Sequence, residues 1–224
     1  MGSLHDQMLA VSEAPLSSLI QPLVQVRAGS VTDHWLLPES DRLALRTWGL
    51  PEGPLLRPTP QAGPQPTLAP NIAGELERRL LSEKQRLYLL GIYGADFDPG
   101  TAIRIGAVAG TGQVMGIRER PVSTADVHEQ LRPYYPNLYH PAVCYFNSSV
   151  AAFVEVAWRW RAAVELIRAH PGPGFPAPLK EHEQHAAELE RSCTDFLARM
   201  TVLDPTLGDS AAGSLWLETI TDDR

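Results

Sequence analysis

The stretch Tyr145-Phe146-Asn147-Ser148-Ser149-Val150-Ala151-Ala152-Phe153-Val154 runs from a strand-like segment through polar capping residues into an apolar helix, with no linker between them. Residues 143–146 form a short β-branched and aromatic run around Cys144, a composition that suits a buried, pleated strand. Asn147 or Ser148 then offers a side-chain oxygen to the unpaired N–H groups of a first helical turn. The helix continues on alanine, valine and tryptophan until Pro171 and Gly172 end it near His170. On a helical wheel Val150, Phe153, Val154, Val156, Ala157, Trp160, Ala163, Val164 and Ile167 fill one arc, too wide for a helix lying lightly on a surface. Trp158 falls off that arc near Glu165, so it either meets a second element or stands at the surface.

Outward from this junction, residues 86–93, 102–108 and 113–118 read as three strands, the last two joined by the turn Ala109-Gly110-Thr111-Gly112. Their short connections predict an antiparallel meander. Residues 38–48 read as a helix, with Pro38 in the first turn, Glu39 and Asp41 at its positive end, Gly49 as the left-handed exit and Pro51 as a stop. Residues 76–81 add a helical turn. Residues 4–27 carry apolar side chains at helical spacings broken by Pro15 and Pro22, which predicts two short helices. Beyond the Pro/Gly linker at 171–178, residues 179–200 and 214–220 complete a helical layer. Seven prolines between residues 51 and 70 predict an extended or mobile loop.

The expected class is therefore α+β: an antiparallel meander sheet of about four to six strands, packed by helices on one side, with an extra N-terminal helical segment. Residues 1–28 are read as the N-terminal helical extension. Residues 29–224 are read as a single domain that carries the Pro-rich loop at 51–70.

A chain of 224 residues with 44% hydrophobic and 20% charged content has the ordinary balance of a globular protein. Its formal charge of −7 argues against nucleic acid as a partner, because such binding is dominated by neutralising phosphates. The same charge is compatible with a partner that has a basic surface, and equally with simple solubility. The N-terminus lacks the charged and apolar regions of a secretory signal, and no segment is long and apolar enough to span a bilayer. Cys144 in a buried strand and Cys193 in a polar helix do not make a disulfide framework, so the cytoplasm is the expected location.

The catalytic patterns fail on physical grounds. Gly110-Thr111-Gly112-Gln113-Val114-Met115-Gly116 looks glycine-rich enough for phosphate, but a strand follows it instead of a helix whose N-terminus would face the anion. Cys144 and His140 sit about 13 Å apart along an extended chain, against the contact of about 3 Å that thiolate activation needs. Glu181-His182-Glu183-Gln184-His185, with Glu188 beyond, has metal-compatible helical spacing, yet a closed zinc site needs four ligands and an open one three. No catalytic residue, metal or cofactor is expected. What remains is a surface of acids and aromatics: Tyr93, Asp96, Asp98, Glu119, Asp126, Tyr134, Tyr135, Tyr139 and Trp158. Aromatic anchors with charge-assisted hydrogen bonds are typical of interface hot spots, so these are the candidate partner-binding residues. Gly49, Asn147, Ser148, Phe153 and Trp216 are read as structural.

The Asn147-Ser148-Ser149 helix start followed by Phe153-Val154 resembles the SUKH superfamily of bacterial immunity proteins, and most closely its fourth immunity subfamily. Three passages agree in order. Leu37-Pro38-Glu39-Ser40-Asp41-Arg42, leading into Trp48-Gly49-Leu50-Pro51, looks like the family's early helix and Gly-Leu-Pro exit. Leu87-Tyr88-Leu89-Leu90-Gly91-Ile92-Tyr93-Gly94, then Ile103-Arg104-Ile105-Gly106 and Gly112-Gln113-Val114, looks like its strand meander. Asp204-Pro205 with Trp216 beyond looks like its closing helix.

The resemblance spans residues 31–220 and departs at the N-terminal segment and the Pro-rich insertion. It implies a fold shared with Syd and with fungal cell-wall-synthesis regulators. It also implies a non-enzymatic cytoplasmic protein that binds and neutralises a cognate toxin, such as a nuclease or deaminase, by occluding its active or substrate-binding site. The alternatives are a regulatory or scaffold interaction module, and a small hydrolase using Cys144 or a metal at His182 and His185.

Overall fold

The computed structural model describes residues 2–53, 56–94, 102–174, 176–208 and 214–222. Helices α1 (Leu4–Glu13) and α2 (Leu16–Leu19) lead to strand β1 (Gln25–Val26), helix α3 (Glu39–Thr47) and strand β2 (Leu50–Pro51), which pairs with β1. Strand β3 (Leu56–Pro58) and helix α4 (Glu75–Leu80) precede the meander β4 (Leu87–Tyr93), β5 (Ile103–Val108) and β6 (Val114–Ile117). A small hairpin of β7 (Val122–Ser123) and β8 (Tyr139–His140) comes next. Strand β9 (Val143–Asn147) then runs directly into helix α5 (Val150–Ala169), followed by α6 (Leu179–Leu203) and α7 (Leu215–Asp222).

The main sheet has five strands in the order β3-β4-β5-β6-β9, every pair antiparallel. This is the α+β meander sheet expected from the strand spacing. Period-two alternation divides its side chains. Tyr88, Leu90, Ile105, Val114, Cys144 and Phe146 join the large core shared with the helices, whereas Leu87, Met115, Ile117, Val143 and Tyr145 form a smaller core on the opposite face. Leu68, Leu80 and Leu81 cover that second face, so one short helix, α4, also lies there.

The Pro-rich segment departs from the mobile reading. Leu56, Arg57 and Pro58 pair with Tyr93, Ile92 and Gly91 as an edge strand, where a proline costs no ladder bond on its open side. Farther along, Thr59 N donates to Leu90 O at 3.0 Å, Gln61 N donates to Leu89 O at 3.0 Å, and Leu68 exchanges backbone bonds with Leu87. The residues between the prolines keep their N–H groups, and these are enough to extend the sheet margin. Trp35 Nε1 donates to Gly63 O at 3.1 Å and holds the crest of the segment.

Helix α5 is the axis of the large core. Its cap is Ser149, whose side chain accepts from Ala152 N at 3.1 Å; the expectation that Asn147 or Ser148 would serve is corrected, because Asn147 is engaged elsewhere. Trp158 is also corrected: it is 1% exposed, and its Nε1 donates to Gly49 O at 3.1 Å. Helices α3, α1 and α2 and strand β2 also pack against α5, so the residue outside the main apolar arc is covered as well. Gly49 itself has φ +59°, and a Cβ there would lie 2.5 Å from Val26 O, so only glycine fits this exit from α3.

Leu4, Met8 and Leu16 of the N-terminal segment belong to the same core as α5. Arg159 reinforces the contact by donating from Nη1 to Val11 O at 3.1 Å and to Ala14 O at 2.8 Å, while Nη2 meets Glu155 at 2.9 Å. A buried guanidinium that satisfies two helix-end carbonyls joins α1 to α5 by charge-assisted hydrogen bonds.

Candidate partner-binding surface

Between β6 and β9 the chain leaves the sheet for the loop that carries Tyr134, Tyr135 and Tyr139. The loop is anchored along its length. Val122 pairs with His140 and Ser123 with Tyr139, Thr124 N donates to Leu138 O at 3.1 Å, and Thr124 Oγ1 donates to Tyr135 O at 2.7 Å. Arg132 spans its inside, with Nε on Val127 O at 3.0 Å and Nη2 on Ala125 O at 3.1 Å. Asp126 accepts from Ser123 N at 2.8 Å and pairs with Arg120. The Ser123 amide and the Arg120 guanidinium hold its carboxyl below the usual range.

Tyr134, Tyr135 and Tyr139 are 78%, 50% and 46% exposed, with Leu131 exposed beside them. Glu119, also exposed, stands at the exit of β6, and its carbonyl accepts from Asn71 Nδ2 at 2.6 Å. One buried acid ties the loop to the protein: Glu77 Oε1 accepts from Ala142 N at 2.9 Å and from the Tyr139 hydroxyl at 3.2 Å. Desolvation and the neighbouring Glu77 both push the Tyr139 hydroxyl pKa up. Exposed aromatic faces on a loop whose backbone is already ordered lose little further conformational freedom on binding.

The other candidate residues lie elsewhere. Tyr93 sits on the helical face of the sheet, its ring packed edge-on against Phe146 with centroids 5.8 Å apart and its hydroxyl bonded to Thr219. Trp158 is in the core and drops out of the surface. Asp96 and Asp98 lie outside the described residues. The structure thus brings together Glu119, Asp126, Tyr134, Tyr135 and Tyr139, and separates them from Tyr93 and Trp158.

The residues read as structural meet at the β9–α5 junction, and here sequence reasoning missed a group. Asp204, buried after α6, accepts from Asn147 Nδ2 at 2.9 Å and Ser148 N at 2.8 Å. Asn147 Oδ1 accepts from Trp216 Nε1 at 2.8 Å, and Phe146, Phe153 and Trp216 stack around the site at centroid distances of 5.5 to 5.9 Å. Burial raises the Asp204 pKa, but hydrogen bonds from Thr206, Ser148 and Asn147 outweigh it and leave the carboxyl below its ordinary value.

Asp41, buried in α3, accepts from Ala151 N at 3.0 Å at the start of α5; burial raises its carboxyl despite the amides of Ala151 and Val150. With Glu77, three buried carboxylates from three separate elements therefore hold residues 142–151. Asp41 is read from the sequence as a helix-end charge and Asp204 as part of a closing helix, and Glu77 lies in a segment read only as a helical turn. No local pattern reveals that each accepts a backbone N–H far away in sequence.

A second concavity lies between β2, β3 and α5. Leu56, Tyr93, Ala157, Trp160, Val164 and Trp216 line a groove with an empty volume of about 510 Å³, open to solvent. Arg161, Glu165 and Arg168 stand along its edge. Cys144 is buried with Sγ 3.6 Å from Gly116 O, and among the described residues no three His, Cys, Asp or Glu side chains form a metal-holding group.

The family described as SUKH-4 immunity protein matches residues 11–221, nearly the whole chain and all of the sheet, the junction and the tyrosine loop. This chain belongs to the SUKH-4 immunity protein family. Membership assigns it the general role of that family, neutralising a toxin by binding it, and agrees with the resemblance carried by Asn147-Ser148-Ser149. No curated protein and no solved structure is significantly similar to this SUKH-4 member. No described helix is long and apolar enough to cross a membrane.

Proposed function

We propose that this SUKH-4 protein neutralises its toxin by steric occlusion, with the loop between β6 and β9 as the contact surface. Tyr134, Tyr135 and Tyr139 serve as anchors, and Glu119 and Asp126 form an acidic border that orients a toxin with a basic surface around its nuclease or deaminase site, in the cytoplasm. The observation that supports this reading most is the exposure of three tyrosines on a loop whose backbone is hydrogen-bonded at both ends and anchored to the core through Glu77. Large, rigid aromatic side chains supply contact area at little entropic cost, and the acids add on-rate and selectivity more than raw affinity. The protein performs no chemistry on this reading.

The test is co-expression with the toxin gene adjacent to its own, scored by survival and co-purification. Survival with a stable complex, lost in Tyr134→Ala/Tyr135→Ala while the variant keeps its melting temperature, is the expected result. Cell death with no complex for the wild-type protein overturns the reading. A wild-type complex that survives the double substitution relocates the contact surface.

A further inference from the structure

We propose that the segment 71–77 is a clamp that sets the poise of the tyrosine loop, with the buried Glu77 as its positioning residue: the carboxylate fixes Tyr139 before the toxin arrives, and affinity depends on it. The role rests on that loop being the contact surface, and it names what orders the surface in the free protein. One segment reaches both ends of the loop. At the start, Asn71 Nδ2 donates to Glu119 O at 2.6 Å; at the end, Glu77 Oε1 accepts from the Tyr139 hydroxyl at 3.2 Å and from Ala142 N at 2.9 Å. Ile72, Leu80 and Leu81 seat this segment and helix α4 on the smaller core, so the clamp has a packed support. Gly74 leaves room for the approach, since a Cβ there would lie 3.2 Å from the Tyr139 hydroxyl oxygen and 2.8 Å from Glu77 Oε2.

Tyr139 has one end in each environment. Its ring is half-exposed, while its hydroxyl is bonded to a carboxylate that is fully buried. A hydrogen bond to an ionised acceptor is about twice as strong as a neutral one, so the ring is presented in one orientation. Released from Glu77, the side chain samples the rotamers open to a surface aromatic; the binding-competent fraction falls, and the apparent Kd rises by the inverse of that fraction. The base of the loop is closed separately. Arg118 N donates to Ala142 O at 2.8 Å and Arg118 Nη1 donates to Pro141 O at 2.9 Å, so loss of the Tyr139 bond loosens the loop without opening the sheet beneath it. Positioning and overall stability are therefore separable at this residue.

Hydrogen exchange on the free full-length protein reads the clamp, and calorimetric titration with the toxin encoded beside its gene reads the binding. Tyr139→Phe keeps the ring and removes only the hydroxyl. The amides of Thr124 and Leu138, which bond across the loop, are expected to exchange about tenfold faster, and the toxin to bind about tenfold more weakly. The melting temperature is expected to move by less than about 4 °C. Glu77→Met removes the acceptor at similar volume and is expected to give at least the same two losses. Glu77→Gln, whose amide oxygen can take the place of Oε1, is expected to recover both to within about threefold of wild type. In the Glu77→Met background Tyr139→Phe is expected to have no further effect on affinity, because the hydroxyl has already lost its acceptor. A second loss there would mean that the hydroxyl meets the toxin directly, and would overturn the role. Tyr139→Phe decides the question alone if Glu77→Met does not fold: unchanged exchange or unchanged affinity overturns the role. A wild-type protein that forms no complex overturns the contact-surface reading as well, whereas a wild-type complex that Tyr139→Phe matches in affinity overturns the role of Glu77 alone.

Discussion

Asn147 and Asp204 are hydrogen-bonded to each other in the core at 2.9 Å, 57 positions apart in the chain. The same Asp204 oxygen accepts from Ser148 N, and the other face of the Asn147 amide accepts the Trp216 indole N–H. A single side chain thus ties the end of β9 to the turn after α6 and to α7. Asn147→Ala removes both bonds and leaves a buried carboxylate and a buried indole N–H short of partners. The expected cost is about 2 to 4 kcal/mol, read by urea denaturation of the variant against wild type. A cost below about 0.5 kcal/mol would show that water replaces the amide.

The two buried aspartates of the junction respond to pH in opposite directions. Asp204 has a depressed carboxyl, so its contribution is present above the ordinary carboxylate value of 3.8 and disappears as pH falls through its lower folded value. Asp41 has a raised carboxyl: the folded state favours its protonated form, and stability linked to it declines as pH rises from 3.8 through its higher folded value. Denaturation from pH 3 to 8 separates them. The deficit of Asp204→Asn relative to wild type is expected to shrink toward pH 3, and Asp41→Asn is expected to gain on wild type as pH rises. Parallel stability curves for all three proteins would contradict the linkage.

Trp158 and Tyr135 are expected to separate core from surface. Trp158→Ala empties a fully enclosed site and removes the partner of the Gly49 carbonyl, costing about 3 to 5 kcal/mol. Tyr135→Ala, at a half-exposed position, stays within about 0.5 kcal/mol of wild type and weakens toxin binding instead. The check is a melting curve for each variant beside a pull-down with the toxin.

Ser149→Ala is expected to cost about 1 kcal/mol, because its hydroxyl caps the Ala152 amide. The exposed side chain of Ser148 predicts a smaller loss for Ser148→Ala. Equal losses would mean that the cap is shared.

Gly112→Ala combines two penalties. The residue has φ +74°, and a Cβ there would overlap Asp41 Oδ2, an oxygen fixed because its carboxylate holds the start of α5. A loss of about 1 to 3 kcal/mol is expected, and it should couple to Asp41→Ala in a double-mutant cycle, since removing the carboxylate removes the clash. Additivity of the two substitutions would break the proposed contact.

The local signals of this sequence were sufficient for its helices and for strands β4, β5, β6 and β9, whereas β1, β2, β3, β7 and β8 were not expected from them. Alternation in residues 143–146, the glycine turn at 109–112 and the proline stops all act over a few residues, and the strands and helices lie within a few residues of those expectations. Neither Trp158 nor the Pro-rich segment was legible in the same way. Whether a tryptophan outside the main apolar arc is buried depends on helices folded back from the N-terminus, and whether a proline-rich stretch is ordered depends on a sheet edge with open carbonyls.

The candidate surface shows the same division. Composition picked out the tyrosines and acids, and five of the nine residues share one region, but sequence could not say that Tyr93 faces the helices or that Trp158 is enclosed. By itself, then, the sequence determined the α+β class, the order of the helices and of strands β4, β5, β6 and β9, and the Asn147-Ser148-Ser149 signature of its family, because short-range sterics and periodicity fix these. Only the tertiary structure decided the task of the charged residues at the junction. A carboxylate on a helix looks solvated until distant segments remove its water, and Asp41, Glu77 and Asp204 hold the strand-to-helix junction because the fold gives each of them a backbone N–H in exchange.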